Sequence, residues 1–533
     1  MTTPLPFPFT VRDLKTGCEL LARISLANPW QAAGELDAFL DSLLAAPPDG
    51  EIYFRLLEHA RVPICFVQEE LAKRYLNKTL PLAELEEKTF QRVIALWLKT
   101  ARAYAHCLDH ERVDEDDPAR PARLAVVLHR CIYHVGMAIL EHQQARRELP
   151  WGLWLDLHGY FGSAEDWDIA TLAVADPLDP LGRAVHCTAA YVSFILVEMA
   201  GGYGLPVREQ RLVRRWATYW APLVGIHRAR PGDTLPPFVI DLMQDVALRP
   251  VAMCLQTENV RRLDTSRLAM HMVHIRQQLH ERIPPAQLAL GEDCTAGQCN
   301  RLLHRLSRPW SQVQAPRRFK RHATSGTARL CTGFDEIHYF VSGKEFEQPE
   351  NARVYSRHEF ESLFAFRHQE NPQEALKYRE ERLAYRVDTW EIVNQSANGF
   401  RLVRSAVGKS MAHDQLVALC PHDGGRFLLA RNVWLMQEKG GGLIAGLMAL
   451  PGLPSAIAAR PVEPAAVQDG RYHRAFLLPA VPAVSADASL VLPRGWYRRE
   501  RLLDLFIDTP KRVQLVHMLE DGVDFERVSF VAA

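Results

Sequence analysis

The chain has 533 residues, of which 48% are hydrophobic and 24% charged, with 63 Lys and Arg set against 63 Asp and Glu. That length exceeds what one hydrophobic core normally serves, so two or three domains are expected. The balanced charge excludes the overall basic character that marks partners such as a nucleic-acid polymer or an anionic membrane surface, so any anion site has to be local.

Met1 to Thr10 lacks the basic start and apolar run of a secretory signal, which predicts a cytoplasmic protein. The most apolar windows, Ala184 to Ala200 and Gly442 to Ala459, are interrupted by His186 and Glu198 in the first and by Pro451, Gly452 and Pro454 in the second. No transmembrane segment is expected from either. Ten scattered cysteines read as buried free thiols rather than a disulfide framework.

The first three hundred residues read as helix after helix. Over Glu86 to Tyr104, apolar Phe90, Val93, Ile94, Trp97, Ala101 and Tyr104 recur at helical spacing, a single stripe for a core. Leu268, Met272, Ile275, Leu279 and Ile283 repeat the pattern, which Pro284-Pro285 stops. Further helices are predicted near Ile52 to Leu76, Arg123 to Arg147, Ala184 to Ala200, Val207 to Tyr219 and Gln298 to Leu306. No fixed repeat period survives counting. The period changes after Arg308-Pro309-Trp310, which places a domain boundary there.

Short β-like runs follow: Ala328 to Leu330, Glu336 to Val341, Asp388 to Val393, Phe400 to Val403, Gln415 to Leu419, Phe427 to Leu435 and Leu443 to Leu447. Glycine-rich turns at His422-Asp423-Gly424-Gly425 and Gly440-Gly441-Gly442 separate several of them, an arrangement that predicts an antiparallel barrel or sandwich. The charged stretch Gly343 to Tyr385 reads as an insertion, part helix and part loop. Beyond it, Pro461 to Asp487 is rich in Pro and Ala, and alternation returns at Arg512 to His517 and Arg527 to Val531. The tail either extends the barrel or makes a small β unit of its own. The expected organisation is thus an α+β multidomain chain: an all-α domain over 1–310, an antiparallel β-barrel over 311–460 with 343–385 inserted, and a linker with a β-rich extension over 461–533.

Two motifs carry chemistry. Pro316-Arg317-Arg318-Phe319-Lys320-Arg321 places four cations at the entry to the first strand, and Asn394-Gln395-Ser396-Ala397-Asn398-Gly399 joins two strands. Clustered guanidiniums suit a ligand with phosphates and guanine edges, because they fork onto phosphate oxygens or guanine O6 and N7 and stack on planar rings. Asn394 and Ser396, two apart, face one side of an extended segment, and Gly399 supplies the backbone freedom of the bend.

Arg317-x-x-x-Arg321 followed by Asn394-x-Ser396-x-x-Gly399 resembles the RxxxR and D/NxSxxG signature of PilZ domains. Trp390-Glu391-Ile392-Val393, Phe400-Arg401-Leu402, Val433-Trp434-Leu435 and Leu443-Ile444-Ala445-Gly446 fit the strand texture of that family, and the resemblance covers about a quarter of the chain. It implies a bacterial receptor for cyclic-di-GMP. Arg317 and Arg321 would hold phosphates and guanine faces with Arg318 as a helper, and Asn394, Ser396 and Gly399 would contact a guanine and shape the turn. Compact members of the family have their motifs much closer together in sequence, so a shared pocket here requires the insertion to loop out.

Gly408-Lys409-Ser410 lacks the upstream glycine of a P-loop, since Val403 stands there, and no helix is predicted to follow it. Cys294-x4-Cys299-x4-His304 matches no common zinc spacing. No catalytic arrangement emerges from spacing, so the expectation is a non-enzymatic receptor with no cofactor and with cyclic-di-GMP as ligand. In it, closure of the arginine segment reorients the barrel against the helical domain, which passes the signal to a protein partner controlling motility, biofilm or a related process. The rival is an adaptor whose degenerate barrel binds no nucleotide.

Overall fold

The computed structural model describes residues 11–110, 117–179, 182–230, 232–255, 257–313, 321–349, 385–405, 407–462 and 471–533. Two compact units emerge, one of residues 1–78 and 82–316, the other of residues 79–81 and 317–533.

The first unit is built on helices α1 (Leu14–Arg23), α2 (Pro29–Ala45), α3 (Gly50–Ala72), α4 (Glu84–Asp109), α5 (Arg120–Gln144), α6 (Leu153–Asp166), α7 (Cys187–Met199), α8 (Val207–Trp220), α9 (Ser266–His280) and α10 (Ala296–Trp310). Glu84, Glu86 and Glu87 in the first turn of α4 complement its helix dipole. The predicted stripe of α4 is buried in full, and it packs along α5. Among the described residues α5 is the one helix long and apolar enough to cross a membrane, and 83% of its apolar window is buried inside the protein.

Because α5 is buried on nearly every side, its polar groups need internal partners. Arg130 meets Glu58 at 2.9 Å, and Arg61 of α3 meets Asp176 at 2.5 Å. Asp176 is held well below the usual carboxylate range: burial opposes its charge, but hydrogen bonding and attraction from Arg61, with Arg130 beyond, win. The chain ends α9 a turn before Pro284, through Arg282 in the left-handed region.

The reading of this half as helix after helix omits its sheets. Strands β1 (Val174–Ala175) and β2 (Ala184–Val185) form a small ladder. Strands β3 (Gly225–Arg228), β4 (Phe238–Asp241), β5 (Arg249–Pro250) and β6 (Val260–Asp264) pair in the order β3-β6-β4-β5. Runs of two to five residues are too short for alternation to stand out from a helical period.

The second unit holds two barrels. Strands β7 (His322–Ala323), β8 (Thr327–Thr332), β9 (Asp388–Ser396), β10 (Gly399–Arg404), β11 (Leu416–Pro421), β12 (Leu428–Gln437) and β13 (Leu443–Ala449) make one antiparallel sheet. Its order is β10-β13-β12-β11-β8-β9-β7, and β9 pairs back onto β10, so six strands close a ring with β7 laid beside β9. Fully buried Trp390 and Leu402 fill it. Burying side chains of this size contributes about 1.5–3 kcal/mol each.

The tail is a barrel of its own. Strands β14 (Ser455–Pro461), β15 (His473–Leu478), β16 (Ser489–Pro493), β17 (Leu502–Phe506), β18 (Pro510–Asp521) and β19 (Phe525–Ala532) close in the order β14-β15-β16-β19-β18-β17 around Ile457, Leu490, Leu492, Leu503, Leu515 and Val528. The first barrel therefore ends at Ala449, and β14 belongs to the second. Strand β11 is buried on both faces: Leu416, Ala418 and Cys420 join Phe476, Leu478, Val491 and Phe525 in a core shared by the two barrels, while Val417 and Leu419 alternate with them.

One strand expectation is overturned. Glu336 to Val341 is part of helix α11 (Phe334–Ser342), which packs against β14 and β15. Its alternation was equally a helical face: Phe334, Ile337 and Val341 join the shared core. Asp335 and Glu336 occupy the first turn, and Gly343, left-handed at φ +71°, ends the helix.

Candidate ligand-binding site

The Asn-x-Ser-x-x-Gly motif is the β9–β10 hairpin. Ser396 pairs with Gly399 across a two-residue turn, and the carbonyl of Asn398 at its tip accepts a hydrogen bond from the Ala449 amide at 2.9 Å. The predicted role of Gly399 needs correction, because its φ lies outside the left-handed region. Glycine fits here because of close approach: a Cβ would lie 3.3 Å from Ser396 Oγ and 3.4 Å from the Leu447 carbonyl.

A β-bulge decides which way the motif faces. Arg401 pairs with Asn394 but Leu402 pairs with Ile392, leaving Val393 as an extra residue on β9. Directly opposed residues share a face, and Leu402 and Ile392 point into the barrel. Asn394 therefore shares the outer face with Arg401, and Ser396, two residues on, shares it too.

The basic motif arrives at the same place. His322 pairs with Gln395 and Ala323 with Asn394, and exposed Arg321 immediately precedes this ladder at its Ser396 end. Strand β8 continues along β9, pairing Thr327 with Glu391 through Leu330 with Asp388. The long gap between the motifs does not part them, because the inserted stretch leaves and returns at one place. Tyr339 of α11 and Tyr385, on either side of it, have ring centroids 5.5 Å apart. Of the predicted site residues, Arg321, Asn394, Ser396 and Gly399 are thus brought together. Arg317 and Arg318 lie outside the described residues, as do 350–384 of the insertion.

Two residues that the motif reading did not single out complete the outer face. Across the sheet the register runs Ala323, Asn394, Arg401, Gly446, Trp434. The Trp434 indole lies over Gly446, where any Cβ would come within 1.8 Å of its Nε1, and Arg401 Cζ sits 5.9 Å from the indole ring centre. Arg401 Nε is buried without a hydrogen-bond partner among the described residues. A guanidinium flanked by an indole and a carboxamide is suited to a planar, hydrogen-bonding base next to an anion. Only the pairing of strands could have revealed this row, since Arg401 and Trp434 are far apart in sequence.

The Gly408-Lys409-Ser410 segment has a structural role. The Lys409 amide donates to Asp388 at 2.9 Å and its ammonium pairs with Glu336 at 2.7 Å. Among the described residues no group of three or more potential ligands could hold a metal ion.

The first barrel thus closes six antiparallel strands, with β7 laid beside the hairpin that carries the Asn-x-Ser-x-x-Gly motif. Three family models match the chain in order: the N-terminal domain of the cyclic-di-GMP receptor FimW over 16–231, its middle PilZ domain over 238–371, and the FimW C-terminal β-barrel domain over 457–533. The chain is also 26% identical over 524 residues to the cyclic-di-GMP receptor FimW of Pseudomonas aeruginosa, covering 91% of this chain and 84% of that relative. The chain carries a PilZ domain between a helical N-terminal region and a C-terminal β-barrel, and the matched PilZ span takes in Arg317 to Arg321 but ends before Asn394.

Proposed function

We propose that this protein is a cyclic-di-GMP receptor whose ligand lies on the outer face of the β9–β10 hairpin. The β7–β9 ladder supports the reading most directly: it pairs Ala323 with Asn394 and His322 with Gln395, next to Arg321, despite the insertion. Arg321, with Arg317 and Arg318 upstream, neutralises the phosphates, and Asn394 and Ser396 offer hydrogen-bonding groups to a guanine edge. Arg401 and Trp434 provide planar surfaces for the second base. The name of the Pseudomonas aeruginosa relative points to the same ligand.

On this reading the barrel needs no cofactor and performs no chemistry. The helical unit passes the signal to a protein partner in the cytoplasm, with motility or biofilm as the controlled process.

Calorimetric titration of cyclic-di-GMP into the full chain at fixed moderate salt tests this. Micromolar or tighter binding, about −8 kcal/mol, that disappears in Arg321→Ala is the expected result. No binding by the intact protein would sink the reading and leave the adaptor.

A further inference from the structure

Cys294 and Cys299 were singled out in the sequence, and the receptor function does not use them. Cys294 lies in the loop just before Thr295, the N-cap of α10, and Cys299 is buried in the first turns of that helix. Their sulfurs are 3.0 Å apart, with the Cys299 thiol donating to the Cys294 sulfur. A third ligand that would make this a metal site is missing among the described residues.

We propose that Cys294 and Cys299 are a redox-active pair that closes reversibly into a disulfide, making the start of α10 a site of oxidative modification.

The geometry assigns different parts to the two sulfurs. Cys294 is partly exposed in the loop before α10; its sulfur accepts the hydrogen bond from Cys299, and its own thiol donates to the Gly291 carbonyl at 3.5 Å. Cys299 is buried, and its thiol is pushed up to about 12 by desolvation and then by Cys294. Cys294 is therefore the sulfur that meets an oxidant, and Cys299 is the one that resolves it.

With a peroxide, the Cys294 thiolate attacks one oxygen, the O–O bond breaks, and the departing hydroxide takes a proton to become water. The Cys294 sulfenic acid is then attacked by Cys299, the S–S bond forms, and the S–OH bond breaks. The hydroxide leaves as water with the proton of Cys299. Two thiols are oxidised to one disulfide and one peroxide is reduced to two waters. A dithiol reductant reverses the change.

Closing the bond to about 2.05 Å asks roughly 1 Å of movement, which falls on the loop rather than on the helix. The loop is anchored to α8, where Arg215 pairs with Asp293 at 2.8 Å and the Trp216 indole donates to the Leu290 carbonyl at 2.9 Å. Oxidation thus pins this loop to the first turn of α10.

The test treats the full chain with hydrogen peroxide, alkylates free thiols and maps tryptic peptides. Ile283 to Arg301 carries both cysteines in one peptide. The expected product is that peptide two hydrogens lighter and unalkylated, restored to two alkylated cysteines by dithiothreitol and absent in Cys294→Ser. In Cys299→Ser, Cys294 should proceed to sulfinic acid. Should that variant fail to fold, the wild-type map and the loop variant Cys294→Ser still decide. Two cysteines alkylated equally before and after oxidation would overturn the proposal, as would accumulation of sulfinic acid on Cys294 in the intact chain while Cys299 stays a free thiol.

Discussion

Asn394 and Arg401 stand directly opposite one another on the outer face of the first barrel, and they do so because Val393 is an extra residue on β9. Without the bulge, strict alternation from Ile392 would turn Asn394 inward. Arg401→Ala should therefore weaken cyclic-di-GMP binding by about tenfold or more, ~1.4 kcal/mol, in calorimetry. Arg401→Lys should not restore it, because an ammonium neither stacks nor forks. Unchanged affinity in both variants would remove Arg401 from the site.

Gly446 is the seat of the Trp434 indole. Gly446→Val drives a side chain into that ring, so the indole has to leave the sheet. The expected outcome is a red-shifted tryptophan emission and a loss of about 1–3 kcal/mol of stability, read by denaturation. Ligand affinity should fall as well, since the row across β12, β13 and β10 is broken.

Acid should weaken the helical unit. Burial, and then the charge of Arg130, push His129 down to about 3. Burial also takes His142 to about 4 and His134 well below its usual value. For a base whose folded-state affinity for protons is depressed, stability is full above the unfolded value near 6.5 and is lost as pH falls, since only the unfolded chain takes up the proton. His129 and His142 then each cost about 2 kcal/mol by pH 5, and His134 acts in the same direction. Glu141 opposes them: burial raises it to about 7, so it favours the folded state increasingly as pH falls from 7 towards its unfolded value. Three histidines outweigh one glutamate, and the midpoint of urea unfolding should drop steadily between pH 6.5 and pH 5. A flat profile would refute the assignment.

Arg61 and Asp176 form an ion pair whose side chains are 1% and 7% exposed. Asp176→Ala strands the guanidinium, and the expected cost is about 3–5 kcal/mol in the unfolding of the helical unit. Replacing both residues with apolar ones should recover much of it. Equal losses in the single and double variants would show that the pair, and not the orphaned charge, carries the energy.

The sequence by itself determined which residue types are on offer to a ligand. Guanidiniums in a cluster, and a carboxamide and hydroxyl two residues apart, are properties of residue type and local spacing that need no tertiary partner. The long amphipathic helices were legible for the same reason, since a stripe such as Phe90 to Tyr104 repeats over enough turns to exclude other periods. Short elements were not. Glu336 to Val341 reads as a strand yet folds as part of α11, because Phe334, Ile337 and Val341 find apolar partners in the core between two barrels.

The tertiary structure decided how the motifs meet and which way they face. That the tail closes into its own barrel depends on β14 pairing with β17, and that the basic segment comes to lie beside Asn394 depends on β7 pairing with β9. The bulge at Val393 sets the outward face of Asn394, and the Arg401–Gly446–Trp434 row exists only once β10, β13 and β12 are adjacent. Register between strands is fixed by long-range hydrogen bonds and by which face the core claims, and neither is written into the local spacing of residues.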